Sequence, residues 1–204
     1  MKKLRATGII IAGGKSSRMG TNKALLKING KTVIEIIAKE LEKTVSDIII
    51  VTNTFEDYQF LGLRMVEDQW KGMGPLAGIH AGLELSSTDK NLIVACDMPF
   101  ISSEIGKDLL KLLEDYQAAV PRISGQLHPL FAAYRKEVQG EICKSLERQQ
   151  LQIWKFLQSV DTKIVTEDDL RKLDLPYKDH HFFNMNHPEE FEAALKMNSD
   201  IQNK

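Results

Sequence analysis

Thr7-Gly8-Ile9-Ile10-Ile11-Ala12 runs directly into Gly13-Gly14-Lys15-Ser16-Ser17-Arg18-Met19-Gly20-Thr21-Asn22-Lys23, and the junction decides how the chain is read. The first six residues are β-branched and continuously apolar, the pattern of a central strand covered on both faces. In an open α/β sheet, ligands sit beyond the carboxyl ends of the strands, so the segment after Ala12 is placed to meet one. Its glycines let backbone amides approach an anion closely, and Lys15, Arg18 and Lys23 put three cations within nine residues. By composition this is a cradle for a polyphosphate. The plainer alternative is a surface turn with solvated charges. Cations so close repel one another unless an anion is present, which favours a ligand. A Walker loop is excluded because its first glycine would fall on Ile9, and the GxGxxG dinucleotide spacing is also absent.

Outward from this junction, short apolar runs alternate with stretches of helical period, the order of an α/β domain. Thr32 to Glu35 has the spacing of a capping box, predicting a helix to about Leu41. Asp47 to Thr52, Leu63 to Val66 and Asn91 to Cys96 read as further strands. Pro75 to Leu85 reads as a helix with proline in its first turn. After residue 115 the pattern changes. Gln117 to Arg122 and Gln126 to Tyr134 read as strands joined by a tight turn at Ser124-Gly125. Helices are predicted over Glu137 to Gln149 and Pro188 to Met197, with a frayed tail over 198–204. Nothing divides the chain, so 1–204 reads as one domain with a mixed, mostly parallel sheet.

Two further places can carry chemistry. Asp97 follows the apolar run Leu92 to Cys96, so its carboxylate faces the same edge as the Gly13 loop. Magnesium is typically held by one or two carboxylates plus phosphate oxygens, which makes Asp97 a candidate ligand for a nucleotide-bound ion. It is equally the kind of residue that caps a turn. Glu67-Asp68 precedes Gly72 and Gly74-Pro75-Leu76-Ala77-Gly78, where a glycine-rich helix start offers free amides. Gly78 can instead serve close packing on the sheet, and Asp68 can be a solvated loop charge. His180-His181, as neighbours on an extended segment, would point to opposite sides and make a poor chelate. Trp70 and Trp154 read as packing residues. Glu167-Asp168-Asp169 reads as a solvated helix start, and His187 as a cap for the helix at Pro188.

The 204 residues are 43% hydrophobic and 27% charged, with net charge -1 from 27 Lys+Arg and 28 Asp+Glu. That balance argues against a nucleic-acid binder. With no long apolar window and no signal-peptide core, the expectation is a cytoplasmic monomer without a membrane partner. Cys96 and Cys143 lie far apart, outside any zinc or disulfide pattern, and read as reduced thiols.

Taken together, these stretches resemble the nucleotidyltransferases of molybdenum cofactor biosynthesis, and most closely their guanylyltransferase branch. The likeness rests on Ile11 to Gly20 with Lys23, on Glu67-Asp68, Gly74 to Gly78, Cys96-Asp97-Met98-Pro99, His128-Pro129-Leu130, and Asn184-Met185-Asn186 before Pro188-Glu189-Glu190. The resemblance implies a single-domain, Rossmann-like three-layer α/β/α nucleotidyltransferase fold. Residues 1–115 would form the GTP and magnesium half and 116–197 the acceptor half. It implies GTP and molybdopterin as substrates, Mg2+ as cofactor, and room for other cofactor-biosynthesis proteins as partners. Ile11, Ala12, Gly13 and Gly14 would line the GTP site, Lys23 and Asp68 would contact GTP, and Asp97 would bind GTP and the metal. Lys23, Arg18 and Asp97 would carry catalysis, with His128, Asn184 and Asn186 towards the pterin. A cytidylyltransferase for the same cofactor, a sugar-phosphate nucleotidyltransferase and a GTP-binding sensor share parts of this pattern. Two departures stand out. Asn22 occupies a place where the family commonly has Asp, and Val51 one where some members have a nucleotide-contacting Asn, so no base contact is assigned to Asn53.

Overall fold

A computed structural model of the chain describes residues 3–13, 22–172 and 177–202. Strand β1 (Leu4–Ile11) is followed, beyond residue 21, by a 3-10 turn at Lys23–Leu25. A small antiparallel ribbon of β2 (Lys27–Ile28) and β3 (Lys31–Thr32) leads into helix α1 (Val33–Leu41). The expected capping box opens that helix: the Thr32 hydroxyl accepts from Glu35 N at 3.4 Å, and the Glu35 carboxylate accepts from Thr32 N at 2.7 Å. Strands β4 (Val45–Val51) and β5 (Arg64–Val66) come next, then α2 (Pro75–Leu85), β6 (Lys90–Ala95) and α3 (Ser103–Leu112). The second half holds β7 (Ala118–Ile123), β8 (Gln126–Leu127), β9 (Phe131–Arg135), α4 (Gln139–Glu147), α5 (Ile153–Gln158), β10 (Thr162–Thr166), α6 (Glu167–Lys172) and α7 (Pro188–Gln202).

The main sheet has the order β10-β7-β9-β6-β1-β4-β5, with β8 paired to β7. β1 lies parallel to both β4 and β6, and only β8 and β9 run against the common direction. Alternation along β1 divides the core. Ile10 joins the cluster under α1, α3, α6 and α7, whereas Ile9 and Ile11 join the cluster under α2, α4 and α5. Helices therefore cover both faces, giving three layers, and a strand buried on both sides must read as continuously apolar. Among the described residues, no helix is long and apolar enough to cross a membrane.

Three expectations change. The strand predicted over Gln126 to Tyr134 is two: β8 pairs with β7 as a hairpin, and the chain then crosses to insert β9 between β7 and β6. Pro129 stands at the break, where it has no N–H to continue a ladder. The tail predicted to fray from residue 198 is helical through Gln202. No glycine or proline follows Met197 to stop it, and Ser199 Oγ donates back to the Leu195 carbonyl at 3.1 Å. Finally, β10 and α5 are additional to the elements read from the sequence, being short stretches of 5 and 6 residues.

Candidate active site

Register aligns the strand ends. Ile11 pairs with Val51 on β4 and with Ala95 on β6, and Val51 pairs with Val66 on β5. Ala12, Thr52, Glu67 and Cys96 therefore all leave the sheet at one edge. The ends are stitched together: Ala12 N donates to the Val51 carbonyl at 2.9 Å, Cys96 N to that of Ile11 at 3.1 Å, and Thr52 N to that of Val66 at 2.9 Å. β9 begins at the same edge, where Ala95 N donates to the Leu130 carbonyl at 2.8 Å. This brings the His128-Pro129-Leu130 segment alongside. The edge also contains the point where connections diverge from β1 to its two parallel neighbours, the usual ligand crevice of such sheets.

Lys23 and Asp97 converge there. Burial pushes the Asp97 carboxyl above its ordinary range, and the Lys23 ammonium pulls against that shift. Asp97 presents its backbone carbonyl to Met185 N at 2.9 Å, fixing the Asn184-Met185-Asn186 segment beside it. Lys23 Nζ then donates to Asn186 Oδ1 at 3.1 Å. The segment is anchored by Glu190, whose carboxylate accepts from Asn186 N and, at 2.8 Å, from His187 N. The helix start expected of His187 is thus completed by Glu190 reaching back. Cys96, next to this cluster, is no nucleophile: burial first, then the Asp97 charge, pushes its thiol up to about 12.

Asp97 Oδ1 and Asn184 Oδ1 are buried with no hydrogen-bond partner among the described residues. Leaving such an acceptor unpaired costs about 1–3 kcal/mol, so both oxygens call for a donor or cation from beyond the described residues. A carboxylate oxygen is the hard donor that magnesium prefers. Among the described residues no group of three or more His, Cys, Asp or Glu could hold a metal by protein ligands alone. The donor set at Asp97 therefore fits an ion shared with a phosphate ligand and not one caged by side chains.

Asp68 lies further along the edge, beyond the end of β5, so β1 and β4 separate it from β6. Three strand spacings, about 14 Å, lie between the two strand ends. Its Oδ1 accepts from Trp70 N at 2.8 Å, and its N donates to Asn53 Oδ1 at 3.2 Å. Asn53 is thus a support for the Asp68 turn. Burial raises the Asp68 carboxyl above its usual range. Gly74, with φ +74°, opens α2 in a conformation that side chains rarely adopt. Gly78 serves packing: a Cβ there would stand 3.1 Å from Ile11 Cγ2. Ile11 accordingly faces the core with its side chain. Ala12 and Gly13 are more exposed; Gly14 and Arg18 lie outside the described residues.

Beside the Asn184-Met185-Asn186 segment, a cavity of about 430 Å³ is lined by residues including His128, Phe182, Phe183, Asn184 and Asn186. Its walls include flat groups: His128 packs on Phe182 with ring centroids 4.9 Å apart, and Phe183 is backed by Phe100 at 6.4 Å. Burial lowers the His128 pKa, so the ring is neutral at pH 7. His180 and His181 sit on a 3-10 turn over Asp179–Phe182, not on an extended segment, with their rings edge to face at 4.7 Å. Trp70 packs edge-on to His80 at 6.5 Å, as a packing residue should. Trp154 is 51% exposed and is not one. Sequence reasoning missed Tyr58, a buried tyrosine in a 3-10 region that belongs to no motif.

Comparison with known proteins agrees with this geometry. The family described as MobA-like NTP transferase domain matches residues 8–164. A probable molybdenum cofactor guanylyltransferase of Pelotomaculum thermopropionicum is 40% identical, the alignment covering 95% of this chain and 94% of that one. Another, from Carboxydothermus hydrogenoformans, is 36% identical over 94% and 95%. Among solved structures, the molybdopterin-guanine dinucleotide biosynthesis protein A of Archaeoglobus fulgidus superposes with a TM-score of 0.81 at 25% identity, covering 95% of this chain and 99% of that one. With its glycine junction, strand-end aspartate and Asn-x-Asn segment gathered at one sheet edge, the chain belongs to the molybdenum cofactor guanylyltransferase family of MobA-like nucleotidyltransferases.

Proposed function

We propose that the chain transfers GMP from GTP to the terminal phosphate of molybdopterin, releasing pyrophosphate. The observation that carries this is the nearness of the Lys23 charge to the buried carboxyl of Asp97, whose Oδ1 has no partner among the described residues, with Lys23 bonded to Asn186 on the lining of the neighbouring cavity. One oxygen of the acceptor phosphate bonds to the α-phosphorus of GTP while the α–β bridging bond breaks and its electron pair leaves with pyrophosphate. The attacking phosphate is already anionic near neutral pH, so no protein nucleophile or strong base is needed. Catalysis becomes alignment and neutralisation of charge.

The roles follow from position. Lys23 stands between the nucleotide edge and Asn186, where its charge serves the phosphates on which negative charge accumulates. For Arg18 and the Gly13-Gly14 amides the same role along the triphosphate rests on the family resemblance, since Gly14 and Arg18 lie outside the described residues. Asp97 would hold Mg2+, which supplies Lewis-acid withdrawal of charge from the phosphates when bound. Asp68, about 14 Å along the edge, suits the nucleoside end of an extended GTP. Its acceptor oxygens match guanine's ring and amino N–H donors. His128, Phe182 and Phe183 give flat apolar faces for a pterin, and Asn184 Oδ1, without a partner among the described residues, offers an acceptor to its donor edge.

The test is a panel: each nucleoside triphosphate with magnesium and molybdopterin, pyrophosphate release being measured. Release with GTP well above the others is expected. Release with CTP and none with GTP would replace the guanylyl assignment with a cytidylyl one, and tight GTP binding with no product would favour a sensor.

A further inference from the structure

Tyr58 is 1% exposed, yet its hydroxyl is engaged in a way that core packing does not require. That oxygen accepts from Asn22 Nδ2 at 2.9 Å. Its own hydrogen has two acceptors in reach, Asn22 Oδ1 at 3.2 Å and, at the long limit of hydrogen bonding, the Ala12 carbonyl at 3.5 Å. Asn22 is in turn the N-cap of the turn that carries Lys23, its Oδ1 accepting from Ala24 N at 3.2 Å. The amide nitrogen also donates to Asp57 Oδ2 at 3.1 Å, and Asp57 is itself held by Thr54 Oγ1 at 3.0 Å. One phenol therefore reaches the first residue beyond β1 and the cap under Lys23.

We propose that Tyr58 is a positioning residue for the triphosphate: its hydroxyl ties the Asn22 cap to the Ala12 carbonyl and so fixes where Lys23 stands over the sheet edge. Desolvation, partly offset by the Asn22 bond, pushes the phenol up to about 12, so the donor is present throughout the working pH range. The same network accounts for Asn22, where the family commonly has Asp. With the Asp57 carboxylate already 3.1 Å away, a second carboxylate would face like charge, whereas an amide serves Asp57 as donor and Ala24 as acceptor.

The inference rests on the guanylyltransferase reading for its substrate, and the experiment separates the two. Full-length wild type, Tyr58→Phe, Asn22→Asp and the double variant Asn22→Asp/Asp57→Asn are compared for GTP KM, acceptor KM and thermal midpoint. Tyr58→Phe keeps the ring, so the midpoint and acceptor KM should hold while GTP KM rises about three- to tenfold, the worth of one neutral hydrogen bond. Asn22→Asp should raise GTP KM similarly, and adding Asp57→Asn should return it to within about twofold of wild type by moving the donor across the pair. A merely structural role would lower the midpoint without this split or this rescue. Tyr58→Phe with GTP KM within about twofold of wild type, or a double variant no better than Asn22→Asp alone, overturns the proposal. If wild type uses CTP in place of GTP, the guanylyl reading falls and the same KM comparison, made with CTP, decides the role of Tyr58. If it binds no triphosphate, both fall.

Discussion

Lys23 and Asn186 are 163 residues apart in the chain, and their side chains meet at 3.1 Å. The bond joins the turn after the glycine segment to the loop that Asp97 pins through Met185 N. On the proposed reading this bond couples the nucleotide side to the acceptor side through the Lys23 ammonium, whose remaining N–H groups can serve a phosphate.

The first prediction concerns that ammonium. Lys23→Ala should lower turnover by about 100- to 1,000-fold with the fold intact, the loss typical of a preorganised donor at a site of developing charge. Asn186→Ala leaves the charge in place and removes only its tether, so a loss of about tenfold is expected. Steady-state pyrophosphate release checks both. A Lys23→Ala loss below about fivefold, under 1 kcal/mol, would remove it from phosphate binding.

A second prediction follows from the neutral, half-buried ring of His128 against Phe182. His128→Ala should raise the acceptor KM about tenfold, as loss of an aromatic contact does, and leave GTP KM unchanged. Because the ring stays uncharged at pH 7, the wild-type profile should show no step from its titration above that pH. A matched rise in both KM values would move His128 out of the acceptor wall.

The parts of this site that could be read ahead are those where local chemistry and strand order coincide. The apolar run of β1 ending in glycine, and that of β6 ending in Asp97, place both ligand elements at one edge before any coordinate is known. Pro75 and the Thr32–Glu35 capping box fixed two helix starts because their signals lie within a turn. What escaped reading is tertiary. Tyr58 reaches Asn22 from a 3-10 region with no periodic pattern, and Asn53 supports Asp68 across 15 residues. The split of β8 from β9 depends on which neighbour each strand finds, and alternation alone does not report that.

A third prediction tests the packing of α2 on the sheet. A Cβ on Gly82 would stand 2.4 Å from Ile9 Cγ2, and β-branched Ile9 is stiff at χ1 and cannot swing aside. Gly82→Ala should destabilise the chain by about 1–3 kcal/mol through overpacking. At this size that corresponds to a midpoint lower by roughly 2–12 °C. The measurement is a thermal melt, and an unchanged midpoint would mean α2 lies further from β1 than described.

Asp97 gives the last prediction, because function and stability pull on it in opposite directions. Burial raises its carboxyl pKa in the folded chain, with Lys23 opposing. Between the ordinary carboxylate value and the raised one, the folded state binds more proton than the unfolded state, so stability falls as pH rises through that window. Above that window the charged carboxylate is therefore a cost to folding, which the Lys23 charge offsets in part. Asp97→Asn removes the charge, so it should raise stability at pH 7 by about 1 kcal/mol, or some 2–4 °C. The gain should shrink as pH is lowered through the window, where the wild-type carboxyl becomes neutral as well. The same substitution weakens the hard donor proposed for magnesium, and turnover should drop by about two to three powers of ten, more than GTP binding weakens. Melts across pH, with turnover at saturating magnesium, check both halves. Near-normal turnover would remove Asp97 from the mechanism, and a lower midpoint at pH 7 would mean its carboxylate is paired in the folded chain.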